Sequence, residues 1–138
     1  MNQTETTIRN RREELTRVVD AVDRLAAEHH LAAQVVGDMQ VALDEILTNI
    51  MDYGYSDDAE HEIRIRLRVV DNMVEATVED DGVPFNPLES AAPDTRAPLR
   101  ERKMGGVGVH FVKNLMSEVR YDRVGDRNRL VLKKKLTA

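Results

Sequence analysis

The sequence predicts a two-layer α+β sandwich, with two or three helices on one face of a mostly antiparallel, mixed sheet. Three observations predict it. Apolar residues recur at helical spacing between residues 15 and 50. The period then falls to two, with Ile63, Ile65, Leu67 and Val69 alternating with Arg64, Arg66 and Arg68. Two tight-turn signals, Asp71-Asn72 and Gly125-Asp126, each lie between strand-like runs. The 138 residues are one domain's length, so residues 1–138 read as a single domain. A chain of this size buries roughly 68% of the surface its unfolded form exposes and needs no covalent staple.

Taken in order, Thr4 to Arg9 reads as a short edge strand. Asn10 followed by Glu13 is a capping-box variant, in which each side chain satisfies an orphan backbone donor. Leu15, Val18, Val19, Val22, Leu25 and Ala26 then mark a first helix running to His29 or His30. Val35, Met39, Ala42, Leu43, Ile46, Leu47 and Ile50 form the apolar stripe of a second helix that ends near Gly54. The arginine-alternating strand turns at Asp71-Asn72 into a strand from Met73 to Asp80 that buries Val74, Ala76 and Val78. Asp80 continues that inward phase, and a carboxylate on a buried face requires a reason. Residues 81–104 hold all four prolines and little periodicity, and a loop this long is usually functional or mobile. Gly105-Gly106-Val107-Gly108 closes the loop and opens a short helix with Val109, Val112, Leu115 and Met116. Two last strands, Glu118–Val124 and Arg127–Leu136, pair across Gly125-Asp126, and Lys133-Lys134-Lys135 reads as solvation of an exposed edge.

Composition excludes several classes. There is no cysteine, which removes disulfides, cysteine-based zinc sites and thiol chemistry. No 18-residue apolar run and no signal-peptide core are present, so no membrane association and a cytoplasmic location are expected. The net charge of −5 argues against general nucleic-acid binding. That charge is uneven: residues 1–60 hold 13 acids and 5 bases, whereas residues 61–138 hold 12 acids and 15 bases. The histidines form no ligand set, with His29 and His30 adjacent and His61 and His110 isolated, as surface residues would be. Ser56, Ser90 and Ser117 lie in no Gly-x-Ser-x-Gly elbow, which argues against a serine hydrolase.

Four places carry residue types that packing does not demand. Glu45 and Asn49, spaced i, i+4, share one face of the second helix and suit a base and a metal ligand, although the pair taken alone reads better as a solvated polar face. Asp80-Asp81-Gly82 ends an inner strand, and its inward carboxylate suits an amino group in a pocket, or a simple strand-end turn. The glycines at 105, 106 and 108 open a helix and suit a phosphate, or a hinge. A dinucleotide fingerprint fails there because position 111 is Phe111 and the motif follows a loop, and no P-loop lysine follows. Arg96, Arg100, Arg102 and Lys103, just before these glycines, can screen phosphates or simply be solvated.

The order and spacing of these signals resemble the GHKL ATPase superfamily, the histidine-kinase-like or Bergerat fold. Ala42-Leu43-Asp44-Glu45-Ile46-Leu47-Thr48-Asn49 resembles its N box, Asp80-Asp81-Gly82-Val83-Pro84-Phe85-Asn86-Pro87 its G1 box, and Gly105-Gly106-Val107-Gly108-Val109-His110-Phe111-Val112 its G2 box. From Gly105 through Asn128-Arg129-Leu130 the chain is most similar to the anti-sigma-factor serine/threonine kinases of the RsbW/SpoIIAB type. The resemblance implies that Asn49 ligates Mg²⁺ and that Glu45 is the general base or orients the attacking serine hydroxyl. It implies that Asp80 binds the adenine amino group, Gly82 makes room for the base, and the backbone of Gly105, Gly106, Val107 and Gly108 meets the phosphates. Residues from about 86 to 104 would be the ATP lid. The chain departs from the pattern at Pro84, where a second G1 glycine is usual, at Asn86, where Asp is common, and at Tyr53, where a histidine is frequent.

Length chooses among members of the superfamily. A histidine kinase needs a phosphoacceptor domain, and gyrase-like ATPases need a transducer domain, so a stand-alone domain is expected to act on another protein. The implied function is ATP- and Mg²⁺-dependent phosphorylation of a serine on a STAS-domain anti-sigma-factor antagonist, with binding of a sigma factor or other regulatory protein, by a homodimer. A nucleotide-binding anti-sigma module without kinase activity is the alternative. A triphosphate beside the acidic second helix meets like charges that repel by roughly 4 kcal/mol at about 4 Å and an effective dielectric of about 20, and a bridging cation reverses that sign.

Overall fold

A computed structural model of the chain describes residues 3–86 and 112–136. Its elements are β1 (Gln3–Arg9), a 3₁₀ turn (Arg12–Glu14), α1 (Leu15–His29), α2 (Ala33–Tyr53), β2 (Glu62–Val70), β3 (Met73–Asp80), β4 (Glu118–Val124) and β5 (Arg127–Lys135), with a helical turn at 112–115. The strands form one sheet in the order β1-β2-β3-β5-β4, and every pairing is antiparallel. The helices cover one face, so the expected two-layer sandwich is present.

The alternation along the strands decides which residues meet the helices. Ile63, Ile65 and Leu67 of β2, Val74, Ala76 and Val78 of β3, and Leu130 and Leu132 of β5 are almost completely buried. They face Met39, Ala42, Leu43, Ile46, Leu47 and Ile50 of α2 and Val18, Ala21, Val22 and Leu25 of α1. The second-helix stripe is therefore the one its spacing predicts. On α1, Ala21 takes the inner place, and Val19 is 40% exposed. The hairpin turn is made by Asp71 and Asn72 at φ 51° and 59°, a pairing of two left-handed residues that matches the twist of the flanking strands. His30, at φ 54°, ends α1.

Two local expectations are corrected. The capping box at Asn10 does not form. Asn10 Oδ1 accepts the His61 backbone N–H at 2.9 Å, and it is Glu14 that reaches back, accepting Arg9 N–H at 2.7 Å. A tertiary bond to the α2–β2 connection outcompetes the local cap. Lys133-Lys134-Lys135 does not solvate an edge, because β5 lies between β3 and β4. Lys134 falls in the inward phase of β5, reaches Asp38 Oδ2 of α2 at 3.0 Å and donates to the Leu115 carbonyl at 2.6 Å. It thereby ties the 112–115 turn to α2.

The open face of the sheet is a lattice of cross-strand charges. Glu5 meets Arg64 and Arg66, Glu75 meets Arg68 and Lys133, and Glu79 meets Arg129. Exposed pairs of this kind contribute about 0–1 kcal/mol each. Their consequence is a polar outer face that leaves the core on one side only. Among the described residues no helix is long and apolar enough to cross a membrane.

Candidate functional site

The inward phase of β3 carries Asp80 to the end of the buried face, where the residue is 2% exposed. Its neighbours in register are Ile63 on β2 and Asn128 on β5. Asp80 Oδ1 accepts the Gly82 N–H at 2.8 Å and Asn128 Nδ2–H at 3.0 Å. Burial pushes the Asp80 carboxyl above the usual carboxylate range, and these two donors pull it back toward the ionised form. No described residue donates to Oδ2.

Asn128 is the residue that the sequence reading passed over. It is 3% exposed and joins four segments. Nδ2 also donates to the Val83 carbonyl at 2.8 Å. Oδ1 accepts from the Phe85 N–H at 3.2 Å, from Arg123 Nη1 at 3.2 Å and from the Tyr121 hydroxyl. Arg123 further donates to the Gly82 carbonyl at 2.9 Å. The available signal was phase: Asn128, Leu130 and Leu132 alternate inward, so a polar residue at the first of these sites is anomalous in the same way as Asp80.

The C-terminal end of α2 is joined to the residues after β3. Val83 N–H donates to the Gly54 carbonyl at 2.9 Å. A Cβ on Gly82 would lie 2.2 Å from that same carbonyl oxygen and 2.9 Å from Asp80 Oδ1. Gly82 is thus required by the close approach of Gly54. This contact sets the helix that carries Glu45 and Asn49 against the strand end that carries Asp80. Asn49 is 5% exposed and Glu45 is half-buried, and neither side chain hydrogen-bonds to a described residue. The Asn49 amide oxygen is a neutral oxygen donor of the kind that suits a hard divalent cation. Gly105, Gly106, Val107 and Gly108, the basic residues before them, and the expected lid apart from Asn86 lie outside the described residues.

His61 is not the isolated surface residue its sequence context implied. Its ring stacks on Tyr55 with centroids 4.3 Å apart. Its Nε2 lies 2.7 Å from Asp57 and its Nδ1 lies 3.1 Å from Asp81. Both nitrogens can donate at once only in the imidazolium form. The Asp57 contact accordingly raises the His61 pKa, and the same contact lowers that of Asp57. Because the folded pKa of His61 lies above its unfolded value of about 6.5, its stabilisation is complete below that pH and is lost as pH rises through the folded value. The Asp57 contribution has the opposite sign and is lost as pH falls below the usual carboxylate range. A thermal-melting profile against pH is therefore expected to fall from about pH 6.5 upward in the wild type. In His61→Gln that fall should be absent. Equal slopes in the two proteins would show that the clamp contributes nothing.

Two acids of the first half are paired with arginines near them in space. Glu60 pairs with Arg9 and Arg11, and Asp52 takes both nitrogen–oxygen contacts from Arg12 Nη2 at 2.9 Å.

Over residues 8–134 the chain matches the family model described as the histidine kinase-like ATPase domain. The serine-protein kinase RsbW of Bacillus subtilis (strain 168) is 29% identical over 89 residues, covering 62% of this chain and 56% of that protein. The anti-sigma F factor of Clostridium novyi (strain NT) is 24% identical over 102 residues, covering 73% of this chain and 71% of that protein. The chain thus spans little more than half the length of the RsbW proteins it matches, 56%. Among solved structures, the RsbU and RsbW domains of a Mycobacterium tuberculosis protein match with a TM-score of 0.68 at 18% identity, over 100% of this chain and 33% of that one. The histidine kinase domain of the Erythrobacter litoralis EL346 blue-light activated histidine kinase matches with a TM-score of 0.56 at 19% identity, over 90% and 60% respectively. At these identities the structural likenesses speak for the fold alone.

Proposed function

The chain belongs to the histidine kinase-like ATPase domain family, and from that premise we propose that it is an ATP-dependent protein serine/threonine kinase of a bacterial partner-switching system. The observation that carries the proposal is the inward, 2% exposed Asp80, with one oxygen held by Gly82 and Asn128 and the other without a donor among the described residues, joined through Gly82 and Gly54 to the helix bearing Glu45 and Asn49. The RsbW and anti-sigma F names of its relatives support a serine on an anti-sigma-factor antagonist of the STAS type as substrate, and a sigma factor or other regulatory protein as the second partner. A homodimer and a cytoplasmic location belong to the same reading.

Each residue then has a task. Asp80 Oδ2 accepts a hydrogen bond from the amino group of adenine. Glu45 accepts or orients the proton of the attacking serine hydroxyl. The new bond joins the serine oxygen to the γ-phosphorus, the bond to the β-phosphate oxygen breaks, and ADP leaves. Gly105, Gly106, Val107 and Gly108 present backbone N–H groups to the phosphates. No cluster of three His, Cys, Asp or Glu occurs among the described residues. A Mg²⁺ ion would take the amide oxygen of Asn49 from the protein and its other ligands from phosphate and water, which is its usual habit. Bound there, it neutralises phosphate charge.

Isotope-labelled protein titrated with Mg·ATP tests the placement. NMR shifts are expected at Gly82, Val83, Asn49 and Asn128. Shifts confined to the open face of the sheet, around Arg66 and Glu75, would contradict it.

A further inference from the structure

We propose that Asn128 is the positioning residue of the base site, fixing Asp80 so that Oδ2 is its ligand-facing acceptor and thereby setting the preference for a base that offers an amino group. The proposal rests on the nucleotide reading above and assigns a part to a strand that reading does not use.

An asparagine amide can rotate by half a turn at little steric cost, exchanging its oxygen and nitrogen. Asn128 cannot do so without loss. The Phe85 N–H and the Arg123 guanidinium are obligatory donors, and both point at Oδ1. The Val83 carbonyl is an obligatory acceptor, and it takes Nδ2–H. These three partners fix the nitrogen on the side of Asp80, where the second N–H meets Oδ1. Asp80 Oδ1 therefore has two donors, the Gly82 N–H and Asn128, both with backbone or backbone-anchored geometry. Its carboxylate cannot turn without breaking both bonds. Oδ2 is left as an acceptor of fixed direction, complementary to an amino group and repelled by a carbonyl at the same place.

The arrangement also places control of the site on the edge strand β4. Tyr121 and Arg123 hydrogen-bond to Asn128 and not to Asp80, while the Arg123 charge also favours the ionised Asp80 carboxylate and its guanidinium bonds the Gly82 carbonyl. Asp80, residues 82–85 and β4 are thus joined in one hydrogen-bonded network.

Asn128→Asp tests this. It is nearly isosteric and keeps an acceptor for Phe85, Arg123 and Tyr121, but it gives up the N–H to the Val83 carbonyl, a loss that is the same at every pH while its one proton is on Asp80, and it can donate to Asp80 only through that shared proton. ATP affinity, measured by calorimetry from pH 5.5 to 8.5, should stay level in the wild type. In the variant it should approach the wild-type value at the acid end and fall by about tenfold per unit of raised carboxyl pKa toward the alkaline end. A purely structural role predicts a uniform, pH-independent loss. A folded variant that binds as tightly as the wild type at every pH, or is uniformly weaker, overturns the inference and leaves the nucleotide reading standing. Wild-type protein that binds no ATP overturns both.

If Asn128→Asp does not fold, Tyr121→Phe combined with Arg123→Met moves the test to the partly exposed edge strand. The ratio of affinities for ATP and for purine riboside triphosphate, which lacks the amino group, is then compared with the wild type. A reduced ratio supports the positioning role, and an unchanged ratio overturns it.

Discussion

Asp80→Asn is expected to lower ATP affinity by about 10³-fold, roughly 4 kcal/mol, while the protein melts at the same or a higher temperature near pH 7. Two physical arguments combine. The asparagine keeps an oxygen where Oδ1 accepts from Gly82 and Asn128, so the fold retains its hydrogen bonds. It puts an NH₂ where Oδ2 was, so a donor now faces the amino group of the base. The stability half follows from linkage. Burial raises the Asp80 pKa in the folded state, so the folded protein disfavours the ionised carboxyl, and stability is lost as pH rises above the unfolded value. The neutral amide removes that penalty. Calorimetric titration and a thermal melt check the two halves together. A variant that binds ATP normally contradicts the assigned role of Asp80, and a variant that unfolds contradicts the account of its hydrogen bonding.

Glu45→Ala should have the converse signature. Loss of a positioned general base lowers a transfer rate by about 10²–10⁴-fold. Glu45 is half-buried and makes no hydrogen bond to a described residue, so its removal should leave both the fold and ATP affinity close to wild type. Single-turnover phosphorylation, with nucleotide binding measured in parallel, separates the outcomes. An unchanged transfer rate would mean that Glu45 is not the base. A parallel loss of ATP binding would make it a binding residue instead.

The fold was legible because its signals are local. The shift from helical spacing on α2 to strict alternation on β2, and the two left-handed residues at Asp71-Asn72, are properties of short stretches of chain. Glu45, Asn49, Asp80 and Gly82 stand out in the sequence for a different reason: each alone reads as surface or turn, and only their order along the chain points to the proposed nucleotide site. The reason for Gly82 was incomplete, since the approach of Gly54 comes from the meeting of a helix end with a strand end.

What escaped the sequence depends on register or on distant partners. Asn128 opposes Asp80 only because β5 pairs with β3 in one particular register. Lys134 reads as an edge lysine until β4 is placed outside β5, and its inward phase then carries it to Asp38. The Asn10 cap yields to a bond from His61, a residue remote in sequence, and His61 itself is held by carboxylates on both sides of the sequence that surrounds it. The charge asymmetry changes meaning in the same way. Pairs such as Glu60 with Arg11 and Asp52 with Arg12 lie within the acidic half and leave its net charge unchanged, whereas Glu5 with Arg64 and Arg66, and Asp38 with Lys134, join the acidic half to the basic one.

The most direct measurement incubates the protein with γ-labelled ATP, Mg²⁺ and a STAS-domain antagonist, and identifies the labelled amino acid. The account predicts acid-stable phosphoserine on the STAS protein, dependent on Mg²⁺ and abolished by Glu45→Ala. Bound ATP with no phosphate transferred would contradict it and leave a nucleotide-controlled binding module, and acid-labile phosphate on a histidine would contradict it in favour of a histidine kinase.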